Sequence, residues 1–170
     1  MDRPEKTEYD PYYETYVSLV PDGRLLEILE RQPAELRSIL AGMPEEKGAF
    51  AYAGGKWTIK ELLGHLTDGE RMFMYRIFRI SRGDATPIEG FEQDDYIENG
   101  RFDTRGFEDL LEEFALLRRA NMILFNTLAE AAWFRTGTAN NCEISVRALA
   151  YIMAGHVAHH IRILKERYLV

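Results

Sequence analysis

A chain of 170 residues with 21 Lys+Arg against 28 Asp+Glu, a net charge of -7, lacks the basic face that a phosphate backbone or an anionic bilayer needs. Nucleic-acid and membrane partners are therefore set aside. The one cysteine, Cys142, excludes both an intrachain disulfide framework and a thiolate zinc cluster. A single domain over 1–170 would bury roughly 70% of its unfolded surface, enough for a core without staples.

The opening Asp2-Arg3-Pro4-Glu5-Lys6 has no apolar stretch behind it, and no run approaches the ~20 apolar residues of a membrane span. A cytoplasmic protein is expected. Residues 1–21 then hold Tyr9, Tyr12, Tyr13 and Tyr16, followed by Val17, Leu19 and Val20. That is too aromatic for a solvated tail and predicts an arm laid over the rest of the fold.

The first helix is expected from Asp22 or Gly23, with Leu25, Leu26, Ile28, Leu29, Leu36, Ile39 and Leu40 at helical spacing. Pro33 should kink or restart it, and Gly42 and Pro44 should end it. The second has the clearest start. Thr58 with Glu61 three residues on is a capping box, and Ile59, Leu62, Leu63, Leu66, Phe73, Ile77 and Ile80 supply the stripe up to Gly83. The basic residues Arg71, Arg76, Arg79 and Arg82 are expected mostly on its solvated side. Residues 84–103 form a long connection whose Phe91, Tyr96 and Phe102 argue for order. A third helix is expected from Asp103 or Thr104 to about Ala131, a loop over 132–144, and a fourth helix from Val146 to about Tyr168 capped by Ser145.

Four amphipathic helices without a convincing strand predict an all-α four-helix bundle. The second helix is ~36 Å long at 1.5 Å per residue. The 20 residues after it reach roughly 65 Å, so the third helix can lie parallel to the second. The short link before the second helix favours an antiparallel first pair.

Three of the four histidines fall in Gly155-His156-Val157-Ala158-His159-His160, and the fourth is His65. His156 and His160 are four apart and share a helix face. His65 sits on another helix among Leu62, Gly69 and Phe73. Buried imidazoles need partners, either hydrogen bonds within the core or a shared divalent cation. An i, i+4 pair plus a third imidazole suits one tetrahedral ion with an open fourth position, the catalytic rather than the structural pattern. Imidazole donors admit zinc, nickel, copper or iron. His159 points about 100° from His160 and is expected beside the site or at the surface. Candidate acid–base groups are Asp68, one turn beyond His65, and Asp94, Asp95 and Tyr96 on the long connection. That connection must return toward the end where the second helix begins, and so can bring Phe91, Asp94, Asp95 or Tyr96 over the histidines as a lid. Arg147 is expected in a surface ion pair.

Three stretches stand out: Gly54-Gly55-Lys56-Trp57-Thr58-Ile59-Lys60-Glu61-Leu62-Leu63-Gly64-His65-Leu66, then Gly90-Phe91-Glu92-Gln93-Asp94-Asp95-Tyr96, and Ser145 to Ala150 running on to Gly155 through His160. In these the chain resembles the DinB/YfiT-like metalloenzyme family. The resemblance implies a bundle of up-down-down-up order with the long connection between helices two and three. It implies a divalent metal on His65, His156 and His160, zinc or nickel first, then iron or manganese. It also implies relatives that are S-transferases and isomerases using low-molecular-weight thiols as cofactors. The leading expectation is an enzyme on a small-molecule substrate, a hydrolase or a thiol S-transferase, whose metal activates water or a small thiol. The alternative class is a non-catalytic metal-binding or stress-response bundle acting through a homodimer.

Overall fold

Each long apolar stripe becomes a bundle helix in the computed structural model, which describes residues 2–169. Met1 and Val170, the ends of the expected 1–170 span, lie outside the described residues. In chain order the elements are α1 (Glu14–Val17), α2 (Leu25–Leu40), α3 (Ile59–Ser81), α4 (Gln93–Gly100), α5 (Phe107–Thr127), α6 (Glu130–Trp133), strands β1 (Thr136–Ala139) and β2 (Cys142–Ser145), and α7 (Val146–Ile163).

The bundle is α2, α3, α5 and α7, and side-chain pairs give its directions. Lys60 at the start of α3 lies over the Phe107 ring at the start of α5, and Glu70 further along meets Arg118. Those two helices are therefore parallel. Arg37 late in α2 pairs with Glu108 and Glu112 early in α5, an antiparallel pair. The Tyr168 hydroxyl, just past α7, donates to the Trp57 carbonyl just before α3 at 2.6 Å, so these two also run antiparallel. The order is up-down-down-up. The long connection permits it, because only a long link joins parallel neighbours.

Local chemistry sets the ends. The Thr58 side chain accepts from Glu61 N and the Glu61 carboxylate from Thr58 N, closing the capping box that starts α3. Ser145 caps α7 by accepting from Ala148 N at 3.0 Å. Past Ile163 the helix widens into a π turn, Leu164–Tyr168.

The structure departs from expectation at three places. Pro33 does not restart α2, which is continuous from Leu25 to Leu40. A proline removes the hydrogen bond to the carbonyl four residues back, here Leu29. Arg118 Nη1 donates to that carbonyl at 2.6 Å and satisfies it. Second, the expected loop at 132–144 holds α6 and an antiparallel hairpin. Asn140 and Asn141 both have positive φ, 51° and 62°, as a tight primed turn requires. Strands of four residues are too short for alternation to reveal. Third, the connection 84–103 contains α4, and its Ile88 pairs with the hairpin at Thr138 and Asn140. The third helix correspondingly starts later, at Phe107, and ends earlier, at Thr127.

The N-terminal arm crosses α7. Glu8 pairs with Arg147 and accepts from Ser145 Oγ at 2.6 Å, and Arg3 donates to the carbonyls of Val17 and Val20. The crossing needs Gly155, because a Cβ there would collide with the Tyr16 carbonyl. Gly155→Ala should therefore destabilise by about 1–3 kcal/mol, the usual range for overpacking, and loosen the arm. Faster amide exchange confined to residues 6–20 would report it, and unchanged exchange there would contradict this account of the arm.

Candidate metal centre

His65 lies in the second turn of α3, and His156 and His160 lie on the inward face of α7. Antiparallel packing of the two helices brings the three rings level. One nitrogen from each falls within 4.8 Å of the others. The ring centroids are 4.7 Å (His65–His156), 4.9 Å (His65–His160) and 4.7 Å (His156–His160) apart. Aromatic walls enclose them. Trp57 lies 4.6 Å from His65 between centroids, and Tyr16 and Phe73 each stand edge-on to His156 at 5.5 Å. The His156 ring needs Gly69 beneath it, since a Cβ at that position would come within 2.9 Å of its Cε1.

Burial dominates the electrostatics. The three residues are 4–7% exposed. Desolvation pushes the His65 imidazole down to about 4, partly opposed by the Asp94 charge. It holds His156 and His160 well below the ordinary histidine range, with neighbouring histidines adding to the effect. At neutral pH all three rings are uncharged, the state in which imidazole donates a lone pair to a metal.

Among the described residues the ring nitrogens of the triad hydrogen-bond only to one another, His65 Nε2 to His156 Nε2 at 2.8 Å. His160 Nδ1 is buried with no partner. Neighbouring donors of a tetrahedral ion with bonds near 2.0–2.1 Å stand about 3.3 Å apart, so the His65–His156 pair would part by about half an ångström and the wider separations, up to 4.8 Å, would close by up to about 1.5 Å. Neutral imidazole donors admit zinc, nickel, copper or iron.

The model of the DinB superfamily matches residues 28–164. The chain belongs to the DinB superfamily. Among solved structures it is similar to YfiT from Bacillus subtilis, a probable metal-dependent hydrolase with an unusual four-helix bundle topology. The TM-score is 0.79 at 18% identity, over 97% of this chain and 90% of that one. No curated protein matches the chain. At that identity the likeness to YfiT establishes the shared bundle.

The remaining candidates of this DinB-superfamily chain divide by position. Asp94 is exposed and, with Gln93, Trp57 and His160, lines a cavity of about 290 Å³. Phe91, Glu92 and Gln93 line a second cavity, of about 250 Å³, against His65 and His156. The connection after α3 thus lies over the triad from two sides. Asp95 and Tyr96 are exposed, and the Tyr96 ring packs on Phe91 at 5.0 Å. Asp68 is not brought to the histidines. It faces Arg71 at 3.5 Å, near the charges of Glu113 and Arg105, and burial raises its carboxyl. A position three residues after His65 is rotated toward α5 rather than α7. His159 is half-buried between the rings of Tyr16 and His160, outside the cluster of three. Arg147 forms its pair with Glu8, whose carboxyl it holds down near 2. A larger hollow of about 600 Å³ between α2 and α7 contains none of the triad, and its Lys165 and Glu35 pair with each other at 3.0 Å.

Sequence reasoning missed Tyr16 and Arg76. The arm's tyrosines carry no spacing signal toward α7. Arg76, expected in solvent, is 4% exposed. It is eleven residues, three turns, from His65 and therefore on the same face, a signal the sequence did contain.

Proposed function

We propose that this chain is a metal-dependent hydrolase of small molecules, with His65, His156 and His160 holding one divalent ion, zinc or nickel. The observation that carries the proposal is the convergence of three buried, uncharged imidazoles, of which His160 keeps a buried nitrogen without a partner. An unsatisfied buried polar atom costs about 1–3 kcal/mol, so such a group points to a ligand. The description of YfiT as a probable metal-dependent hydrolase supports the same reading.

When bound, the ion would acidify a water in its open position toward neutrality. The chain supplies the rest. Trp57, Phe73 and Tyr16 keep bulk water from the rings. Asp94, at the cavity edge beside His160, is the carboxylate best placed to take a proton from a reacting group. The cavities of about 250 and 290 Å³ limit the substrate to a small molecule.

The test is metal content. The protein loaded with zinc or nickel and freed of excess ion should carry one ion per chain. His65→Ala, His156→Ala and His160→Ala should each lower affinity by more than about 100-fold, beyond the loss of an outer partner. His159→Ala should leave it within a few-fold. A His159→Ala variant that alone lost the ion would overturn the ligand assignment. Ester hydrolysis that survives without thiol separates a hydrolase from a thiol transferase.

A further inference from the structure

The second cavity, of about 250 Å³, has His65 and His156 at one end and Arg76 among its walls. Arg76 is 4% exposed, yet its Nε is buried with no partner; Nη2 donates to the Glu89 carbonyl over a long 3.3 Å, and the Tyr13 phenol stands beside the guanidinium as a second uncharged partner. Among the described residues no carboxylate lies within 4.0 Å of its guanidinium. By contrast the other buried arginine, Arg118, holds Glu70 through two hydrogen bonds. A guanidinium taken out of water without an anion is expensive to keep, and its planar fork matches a carboxylate bidentately. Glu92 lines the same cavity but is exposed and makes no pair with it.

We propose that Arg76 anchors the carboxylate of a small substrate that lies in this cavity with its reacting end at the His65–His156 edge of the triad. Phe73 lies between the two ends on the same face of α3, and Tyr13 and Tyr16 of the arm close the outer side. The helix rises about 10 Å between Gly69, beneath His156, and Arg76. Helical side chains lean back toward the N-terminus, which shortens the gap to be spanned. A single buried cation balances a monoanion, so a carboxylate is matched and a phosphate dianion is left with excess charge. The Tyr13 phenol, raised by burial and drawn partly down by the Arg76 charge, adds a second polar group at the anionic end.

The inference rests on the metal reading only for the ligand's reacting end, so its test uses protein stripped of metal. Calorimetric titration with benzoate, benzamide and phenylphosphonate reads the anion site directly. Benzoate should bind, benzamide should not, and phenylphosphonate should bind more weakly than benzoate. Arg76→Gln should weaken benzoate by about tenfold to a hundredfold, the range for lost charge-assisted hydrogen bonds. Equal benzoate affinity in the wild type and Arg76→Gln would overturn the proposal, as would phenylphosphonate binding the more tightly. Should the variant not fold, the wild type alone decides: benzamide binding as tightly as benzoate, or no benzoate binding, rejects it. Metal content of the same preparation before stripping tests the triad separately, so either idea can fail without the other.

Discussion

Arg118→Ala is expected to remove about 3–5 kcal/mol of stability, the cost of leaving one member of a buried ion pair alone. Arg118 and Glu70 are each 1% exposed. The guanidinium meets both Glu70 oxygens, at 2.7 and 2.8 Å, the Leu29 carbonyl at 2.6 Å and Gln32 Oε1 at 2.9 Å. Gln32 in turn donates to the Ala154 carbonyl at 2.6 Å, and Asn121 donates to Glu70. The network therefore ties α2, α3, α5 and α7 together, two residues from His156 on α7. Truncating Arg118 strands a carboxylate, an amide oxygen and the carbonyl that Pro33 left without a helical partner. Urea denaturation should show the loss, and a change under about 1 kcal/mol would contradict it. The Pro33 argument has its own check. Pro33→Ala returns an N–H to the Leu29 carbonyl, so Arg118→Ala should cost about 1 kcal/mol less in that background, one hydrogen bond's worth.

The bundle was legible because each helix satisfies its apolar stripe by burying it, and the stripes survive in the sequence as spacing. The Thr58–Glu61 box and the Ser145 cap were equally visible, since a cap is a local contract between residues three apart. The triad was legible for the same reason on α7, where His156 and His160 are one turn apart, and its third member was the one histidine left, His65, among the apolar residues of another helix. What stayed hidden depends on partners distant in sequence. Glu70 and Arg118 are 48 residues apart, and each alone resembles a solvated charge. Arg76 looked like one of four surface arginines because charge, not its phase relative to His65, was weighed. Asp68 was over-weighted for the converse reason: three residues on from His65 it is offset by about 60° around α3, and that side step turns it to Arg71 and the charges of Glu113 and Arg105. The hairpin was missed because the paired asparagines of its turn, not its strands, carry its signal.

Lowering the pH from 7 to 5.5 should destabilise the metal-stripped protein by roughly 3–4 kcal/mol, through the triad alone. In the unfolded chain each histidine takes up a proton near pH 6.5. In the folded chain burial holds His65 down to about 4 and His156 and His160 well below their ordinary value. Between those limits the unfolded state binds more protons, so the free energy of unfolding falls as pH falls. The stability is fully present above about pH 6.5 and is lost progressively toward pH 4. Among the carboxylates, Asp68, raised by burial, takes up its proton first in the folded state and offsets part of the loss. Glu8, held near 2 by Arg147, and Asp84, held low by Arg79, contribute stability that is lost only below the unfolded carboxylate value, about 4.3 or lower. Bound metal shifts the onset downward, because protons must first displace the ion, and its release should accompany the fall. Denaturant midpoints at pH 7.5, 6.5 and 5.5, with and without one equivalent of zinc, measure both effects. The stripped His156→Gln variant, with one titrating ring fewer, should lose about one third less over the same interval. A stripped wild type equally stable at pH 7.5 and 5.5 would mean that the imidazoles accept protons in the folded bundle, and the picture of a dry, neutral triad would have to be abandoned.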